Sequence, residues 1–405
     1  MPNLTPGPIL FDLGADHVQL WARTDGPAAL HVVCTPLDVG EPVIFPAVTT
    51  DAASDYTAAI LIAGLTPGTV YQAELSVDGV AAGLRQFTTL PAEGDPAELR
   101  LAFVSDTFRA YPAPALGALR ALWPMGVFVI GDHDHTNYLS NTSTATGALM
   151  KARNAHRCLR DDSTELGADV CEFIIDAGVP ILGHIADDHD CGADNRNKSG
   201  KWWPEVLQAM REYWPVSADH GYLEGYMYSS VRIGRTIVAL LDTRTHRDTP
   251  GTHKKLLGDE QWEWLGGVVD EVGAGQTFDR LVLVSPVPVN PLQHKLDSWF
   301  GYTDERVRLV EMLAPIVGRV VVVSGDCHWG SIALPPIVAL PEINIPKLQE
   351  QGFANTCNNA APQWTLNSLT PGGGFGLLTI NPAAVLVEIY NADGSLRLSA
   401  TVPLV

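Results

Sequence analysis

The chain has 405 residues, 46% of them hydrophobic, and a formal net charge of −20. That length fits two domains, or one large domain with an appendage, around a sizeable core. The acidic balance excludes a general nucleic-acid binder, whose affinity rests on Lys and Arg against phosphates, and suits an acidic surface or Asp residues gathered around cations.

Residues 1 to about 95 read as all-β. In "YQAELSVDG" the alternation puts Tyr71, Ala73, Leu75 and Val77 on one face, and Asp78-Gly79 signals a hairpin turn. With "HVQLWART", "LHVVCTPL" and the turn in "LTPGTVY", the pattern is that of a small fibronectin III or immunoglobulin-like β-sandwich. "LPAEGDPAE", from Leu90, follows as a polar linker. The opening "MPNLTPGPIL" has no basic region before an apolar run, so no signal peptide is expected and the chain reads as cytoplasmic, or as periplasmic or secreted if a leader has been removed. No apolar run approaches membrane-spanning length.

From Leu99 the pattern changes. The runs "LRLAFV", "GVFVI", "VPILG", "RTIVALL", "RLVLV" and "GRVVVV" alternate with helical stretches, the form of strands covered on both faces in an α/β domain. The residues after each run carry the chemistry. The strands end at Asp106, at Asp132, in "HIADDHD", at Asp242, and in "SGDCH" with Asp326 and His328. Open α/β sheets bind ligands beyond the carboxyl ends of their strands. One Asp there is an ordinary helix cap. Five such ends point to a shared metal site. The final segment, from about Gly374, returns to strands with an Asp393-Gly394 hairpin and is expected to extend the edge of the main sheet.

Six cysteines are scattered without a C-x-x-C pair, which excludes a disulfide framework or zinc finger. Cys158 and Cys171 are expected as free buried thiols. Cys327 is expected as a structural thiol, because an extended segment points it away from Asp326 and His328.

The ordered set "SD" (Asp106), "GDHDH" (Asp132), "DDHDCGADN", "LDTRTHRD" and "SGDCH", with "GDEQWEWL" and "DSWFGYTDERVRL", resembles the PhoD-like alkaline phosphatases and phosphodiesterases of the calcineurin-like metallophosphoesterases. The resemblance spans nearly the whole chain. It implies a β-sandwich over residues 1–95 and a four-layer αββα catalytic domain over 96–405. It also implies hydrolysis of phosphate monoesters or diesters by a metal-bound hydroxide at a dinuclear site. By the same resemblance Asp132 bridges two ions, Asp106 and His328 hold one, and Asp188 and Asp326 hold the other. His189 touches the phosphate or protonates the leaving oxygen, with Asp190 fixing its orientation. The oxygen-rich donor set suits Mn, Fe(III), Mg or Ca, and Zn is compatible. Two ions about 3.5–4 Å apart can activate water and neutralise phosphoryl charge.

Two positions depart from the family's usual pattern: His135 stands where Tyr is common, and Ala186 where Trp is. His133 and His135 are candidates for substrate contact or ligation, against loop hydrogen bonds. Arg244 is a candidate phosphate clamp, against an ion pair with Asp242 or Asp248. Asn195 and Arg196 are candidate pocket residues. His184 reads as a packed histidine, and Tyr138, Trp202, Trp203 and Trp214 as cleft wall or core. The partner implied is a small phosphate-ester substrate, with no nucleic-acid surface; the oligomeric state is not encoded in any recognisable motif. The alternatives are a promiscuous phosphotriesterase or phosphonate-esterase, a purple-acid-phosphatase-like enzyme, and a non-catalytic binding protein on the same scaffold.

Overall fold

The computed structural model describes residues 2–161, 163–215, 227–290, 297–336, 338–349, 366–367 and 372–404. Seven strands come first: β1 (Ile9–Phe11), β2 (His17–Arg23), β3 (Ala28–Pro36), β4 (Val43–Thr50), β5 (Thr57–Ala63), β6 (Val70–Val77) and β7 (Val80–Thr88). Then follow β8 (Leu99–Val104), α1 (Ala115–Arg120), β9 (Gly126–Ile130), α2 (Ala145–Cys158), α3 (Glu165–Cys171), β10 (Ile181–Ile185) and α4 (Trp203–Tyr213). Next come β11 (Ser229–Ile233), β12 (Thr236–Leu240), α5 (Asp259–Ala274), β13 (Arg280–Ser285), α6 (Thr303–Leu313), β14 (Val320–Ser324), β15 (Ser331–Ala333) and β16 (Glu342–Asn344). The described chain ends with β17 (Leu366–Asn367), β18 (Gly374–Ile380), β19 (Ala384–Asn391) and β20 (Leu396–Pro403).

Two sheets stack face to face. One runs β20-β19-β18-β8-β9-β10-β1-β2-β5 and the other β11-β12-β13-β14-β16-β15-β17. Because side chains alternate along a strand, each strand serves two layers. Phe103, Phe128 and Leu182 meet Val238, Val282, Val321 and Ile343 between the sheets. Ala102, Val127 and Ile181 turn outward onto Leu116 and Leu119 of α1. Ile237, Leu281 and Val322 turn outward onto Trp262, Leu265 and Leu309 of α5 and α6. This is the expected helix–sheet–sheet–helix stack.

The N-terminal strands form a sandwich, but not a free-standing one. A third sheet, β4-β3-β6-β7, packs on β1, β2 and β5. The predicted face of β6 is buried throughout: Tyr71, Ala73, Leu75 and Val77 are no more than 6% exposed. Yet β1 also pairs in parallel with β10, Phe11 opposite Ile181. The core of the sandwich therefore runs unbroken into the core between the two large sheets. An alternating pattern reveals a strand's buried face, not which neighbour it pairs with. At the other edge β18 pairs antiparallel with β8, and β19 and β20 extend it. No helix among the described residues is long and apolar enough to cross a membrane.

This topology positions the site. Strands β8, β9 and β10 are parallel neighbours, so their carboxyl ends lie side by side. Strands β12, β13, β14 and β16 do the same in the second sheet.

Candidate metal centre

The loops leaving β8, β9, β10 and β14 meet in a cluster of buried charge. Asp106, Asp132, Asp188, Asp326, His189 and His328 are each 6% exposed or less. The backbone is bent sharply to bring them there. Asp106, Asp132, Asp326, His328 and Asn195 all have positive φ, between 49° and 67°. That region is uncommon for residues other than glycine, and such outliers gather at functional sites. Two glycines permit the close approach of the loops. Gly131 has φ +105°, and a Cβ there would sit 2.8 Å from the Asp187 Cβ; a Cβ on Gly325 would sit 2.3 Å from Ser105 Oγ.

Asp132 lies at the centre. Three groups of donors each hold their ligand atoms within 4.8 Å of one another: Asp106, Asp132 and His328; Asp132, Asp187 and Asp188; and Asp132, His135 and His189. Asp132 belongs to all three. Its Oδ1 accepts the His189 amide at 3.1 Å, and its Oδ2 lies 3.7 Å from His135 Nε2. Asp106 Oδ1 faces His328 Nε2 at 3.3 Å, and its Oδ2 accepts from Ser105 Oγ at 2.5 Å. The Asp188 carboxylate accepts the amides of His189 and Asn195.

The electrostatics are those of a site that takes a cation. Burial raises the Asp132 pKa well above its ordinary value, and the charges of Asp188, Asp187, Asp190 and Asp106 raise it further. Burial also raises Asp106, but the charge and hydrogen bond of His328 and the hydrogen bond from Ser105 outweigh it, holding that carboxyl low. Burial, with the nearby charges of His189 and His328, depresses His135 to about 4, so it presents a neutral imidazole near pH 7. Among the described residues, His189 Nδ1 is buried without a hydrogen-bond partner. Crowded carboxylates, a neutral imidazole and an unpartnered buried ring nitrogen are what a hard divalent or trivalent ion would satisfy.

Several candidates sit elsewhere than expected. Arg244 does not face a substrate. It is fully buried and pairs with Asp187 at 2.5 Å and Asp297 at 2.9 Å, not with Asp242 or Asp248. Asp242 leaves the metal group as well: its carboxylate accepts the amides of Met227, Arg244 and Thr245, which is loop capping. Asp190 does not orient His189. Its oxygens accept the amides of Asp132, His133 and Asp187, and one lies 2.5 Å from His133 Nδ1. His133 is 3% exposed and turns into a buried histidine cluster rather than toward a substrate. His135 alone of that pair reaches the centre, with its ring 3.7 Å from that of His189. Asn195 stays at the exposed rim, its side-chain amide donating to Asp194 at 2.8 Å. Arg196 packs over Trp203. His184 is a packed histidine as expected, stacked on Trp214 at 4.0 Å, and Trp214 is core rather than cleft wall.

Cys158 and Cys171 form no disulfide, as expected, but only Cys171 is buried; Cys158 is half-buried. Cys327 is disulfide-bonded, not the structural thiol expected. Asp326 and His328 on either side are left-handed, so the segment is not extended and the alternation argument does not apply.

Sequence reasoning assigned no role to Asp187, Asp297, Arg247 or Lys347. Asp187 was visible as the first letter of "DDHD". Asp297 and Arg247 carried no signal; Asp297 pairs with both Arg244 and Arg247. Lys347 is 4% exposed beside Asp106, and burial lowers its pKa against that carboxylate's pull.

Comparison with known proteins follows this geometry. Residues 184–334 match the family described as PhoD-like phosphatase. Residues 1–93 match Domain of unknown function (DUF7800). No curated protein matches the chain. Among solved structures, PhoD is similar at 18% identity and TM-score 0.76, with 98% of this chain and 91% of that one covered. A purple acid phosphatase from yellow lupin (Lupinus luteus) seeds is similar at 16% identity and TM-score 0.69, with 100% and 74% covered. At these identities the two structures show the fold. The match over 184–334 bears out the resemblance drawn from the ordered motifs.

Proposed function

We infer that this PhoD-like phosphatase hydrolyses small phosphate esters with two metal ions, Asp132 bridging them. The observation that carries the reading is that Asp132 belongs at once to a group with Asp106 and His328 and to a group with Asp187 and Asp188. A carboxylate has two oxygens and so can serve both sides. Asp106 and His328 would hold one ion; Asp188 and Asp326 would hold the other; His135 would complete the first set. The ions, of Mn, Fe, Mg, Ca or Zn, supply charge neutralisation and an activated water.

The chain's own residues do the rest. The Ser105 hydroxyl and the amides of His189 and Asn195 orient the carboxylates. His189, neighbour to both Asp132 and Asp188, presents its ring to the phosphate and delivers the proton to the leaving oxygen. Arg244 pairs with Asp187 and Asp297 behind the donors and offsets part of their charge. Asn195 at the rim contacts the substrate. We also place the division between the N-terminal sandwich and the catalytic domain at about residue 95. Of the two locations considered, the disulfide at Cys327 favours an oxidising compartment.

The test is hydrolysis of bis-p-nitrophenyl phosphate and p-nitrophenyl phosphate by chelator-stripped protein reloaded with each metal. Activity restored by metal supports the reading; equal activity with and without metal contradicts it.

A further inference from the structure

A second group of buried histidines lies beside the metal centre, and none of the roles above uses it. His133, His156 and His184 are 3%, 0% and 8% exposed. Hydrogen-bond accounting fixes how two of them connect. Trp214 Nε1–H donates to His156 Nδ1 at 3.1 Å. An indole nitrogen only donates, so His156 Nδ1 is an acceptor. His133 Nε2 lies 2.8 Å from that same Nδ1, and so it donates too. Burial, reinforced by His133 and Arg160, holds the His156 pKa well below its ordinary value, which keeps it in the neutral, accepting form.

The other end of the His133 ring meets Asp190, with Nδ1 2.5 Å from Oδ1. Asp190 Oδ1 also accepts the His133 amide at 2.9 Å, while Oδ2 accepts the amides of Asp132 at 2.7 Å and Asp187 at 2.9 Å. One buried carboxylate thus ties the loop after β9 to the loop after β10. Those loops carry the proposed bridge Asp132 and the donor Asp188. The ring that steers this carboxylate is anchored through His156, on α2, and Trp214, at the end of α4.

We propose that His156 is a positioning residue for the metal centre: with Trp214 it sets the His133 ring, and through that ring the Asp190 carboxylate that fixes the Asp132 and Asp187 backbones. It touches neither substrate nor ion. The inference rests on the two-metal reading for its effect on metal binding, but its geometry stands apart from that reading.

The experiment titrates Mn(II) into chelator-stripped full-length protein, comparing wild type with His156→Asn, His156→Leu and Trp214→Phe. Asn offers Oδ1 where the histidine offers Nδ1; Leu offers no acceptor. Trp214→Phe keeps the ring packing and removes the donor. His156→Leu and Trp214→Phe are expected to weaken Mn(II) binding about 10–100-fold, the usual cost of losing an outer partner, while His156→Asn stays within about threefold. In a ring-nitrogen NMR spectrum the proton on His133 Nε2 is expected in wild type and His156→Asn, and lost in His156→Leu. Wild-type affinity in His156→Leu overturns the proposal, as does equal weakening in His156→Asn and His156→Leu. If His156→Leu does not fold, unchanged affinity in Trp214→Phe overturns it. Wild type that takes up no Mn(II) refutes the metal reading instead. The His133 spectrum and the amide resonances of Asp132 and Asp187 then decide: shifts in Trp214→Phe but not in His156→Asn support the positioning role, and unmoved resonances in both overturn it.

Discussion

Replacing Asp132 by Asn should stabilise the metal-free protein while abolishing metal binding. Without a cation, Asp132 is crowded by carboxylates, and its ligand atom lies within 4.8 Å of those of Asp187 and Asp188. Arg244 compensates Asp187, so Asp188 is the charge that bears on Asp132 most directly. At that distance and an effective dielectric of about 20, two like charges repel by about 3 kcal/mol. With an unfolding entropy of about 2.1 cal/mol/K per residue over 405 residues, this is a rise in Tm of about 4 °C. The effect depends on pH. Asp132 has a folded-state pKa raised above the ordinary 3.8. Its contribution to stability is therefore present below that value and lost as pH rises through the folded pKa. The gain in the Asn variant should be full at alkaline pH and vanish toward pH 4. Thermal melts in chelator across that range, repeated with Mn(II), measure it. Wild type should gain stability from the metal and the variant should not. A variant less stable than wild type in chelator at pH 8, or one stabilised equally by metal, would refute the reasoning.

Other perturbations read the remaining parts. Arg244→Met strands the buried carboxylate of Asp187 and leaves Asp297 to Arg247, and should cost about 3–5 kcal/mol, seen as a lower denaturant midpoint; an unchanged midpoint contradicts the ion-pair role. His189→Gln should lower kcat about 10²–10⁴-fold with metal content unchanged, as for loss of a proton donor; a parallel loss of metal would make it a ligand instead. His135→Tyr, loaded with Fe(III), should gain a visible phenolate charge-transfer band if position 135 ligates; a colourless iron-loaded variant removes His135 from the ligand set.

Much of this was legible from residues alone, for identifiable reasons. The apolar runs gave the strands, and the acids at their carboxyl ends gave Asp106, Asp132 and Asp188, because in a parallel sheet those ends lie together. The acids of Asp132's loop were legible; the direction of its side chains was not. His133 and His135 are two residues apart, and in an extended loop they share a side, yet His133 enters the buried histidine cluster and His135 the metal centre. The chain bends at His133 and Asp134 instead of running extended, which breaks the alternation. Arg244 failed as a substrate contact because its partners, Asp187 and Asp297, are 57 and 53 residues away and no local pattern couples them. Asp242 looked like its neighbours by position but spends its oxygens on the amides of Arg244 and Thr245 in its own loop and of Met227, two residues before β11. The pairing of β1 with β10 was hidden for the same reason: a three-residue strand carries no record of a partner far along the chain.

The account turns on Asp132 as the shared ligand of two ions. Elemental analysis of purified protein, wild type beside Asp132→Ala, with bis-p-nitrophenyl phosphate hydrolysis on the same samples, tests it most directly. Two ions per chain with hydrolysis in wild type, and loss of both in the variant, is the predicted result. Hydrolysis by metal-free wild type, or a variant that keeps both ions, would contradict it.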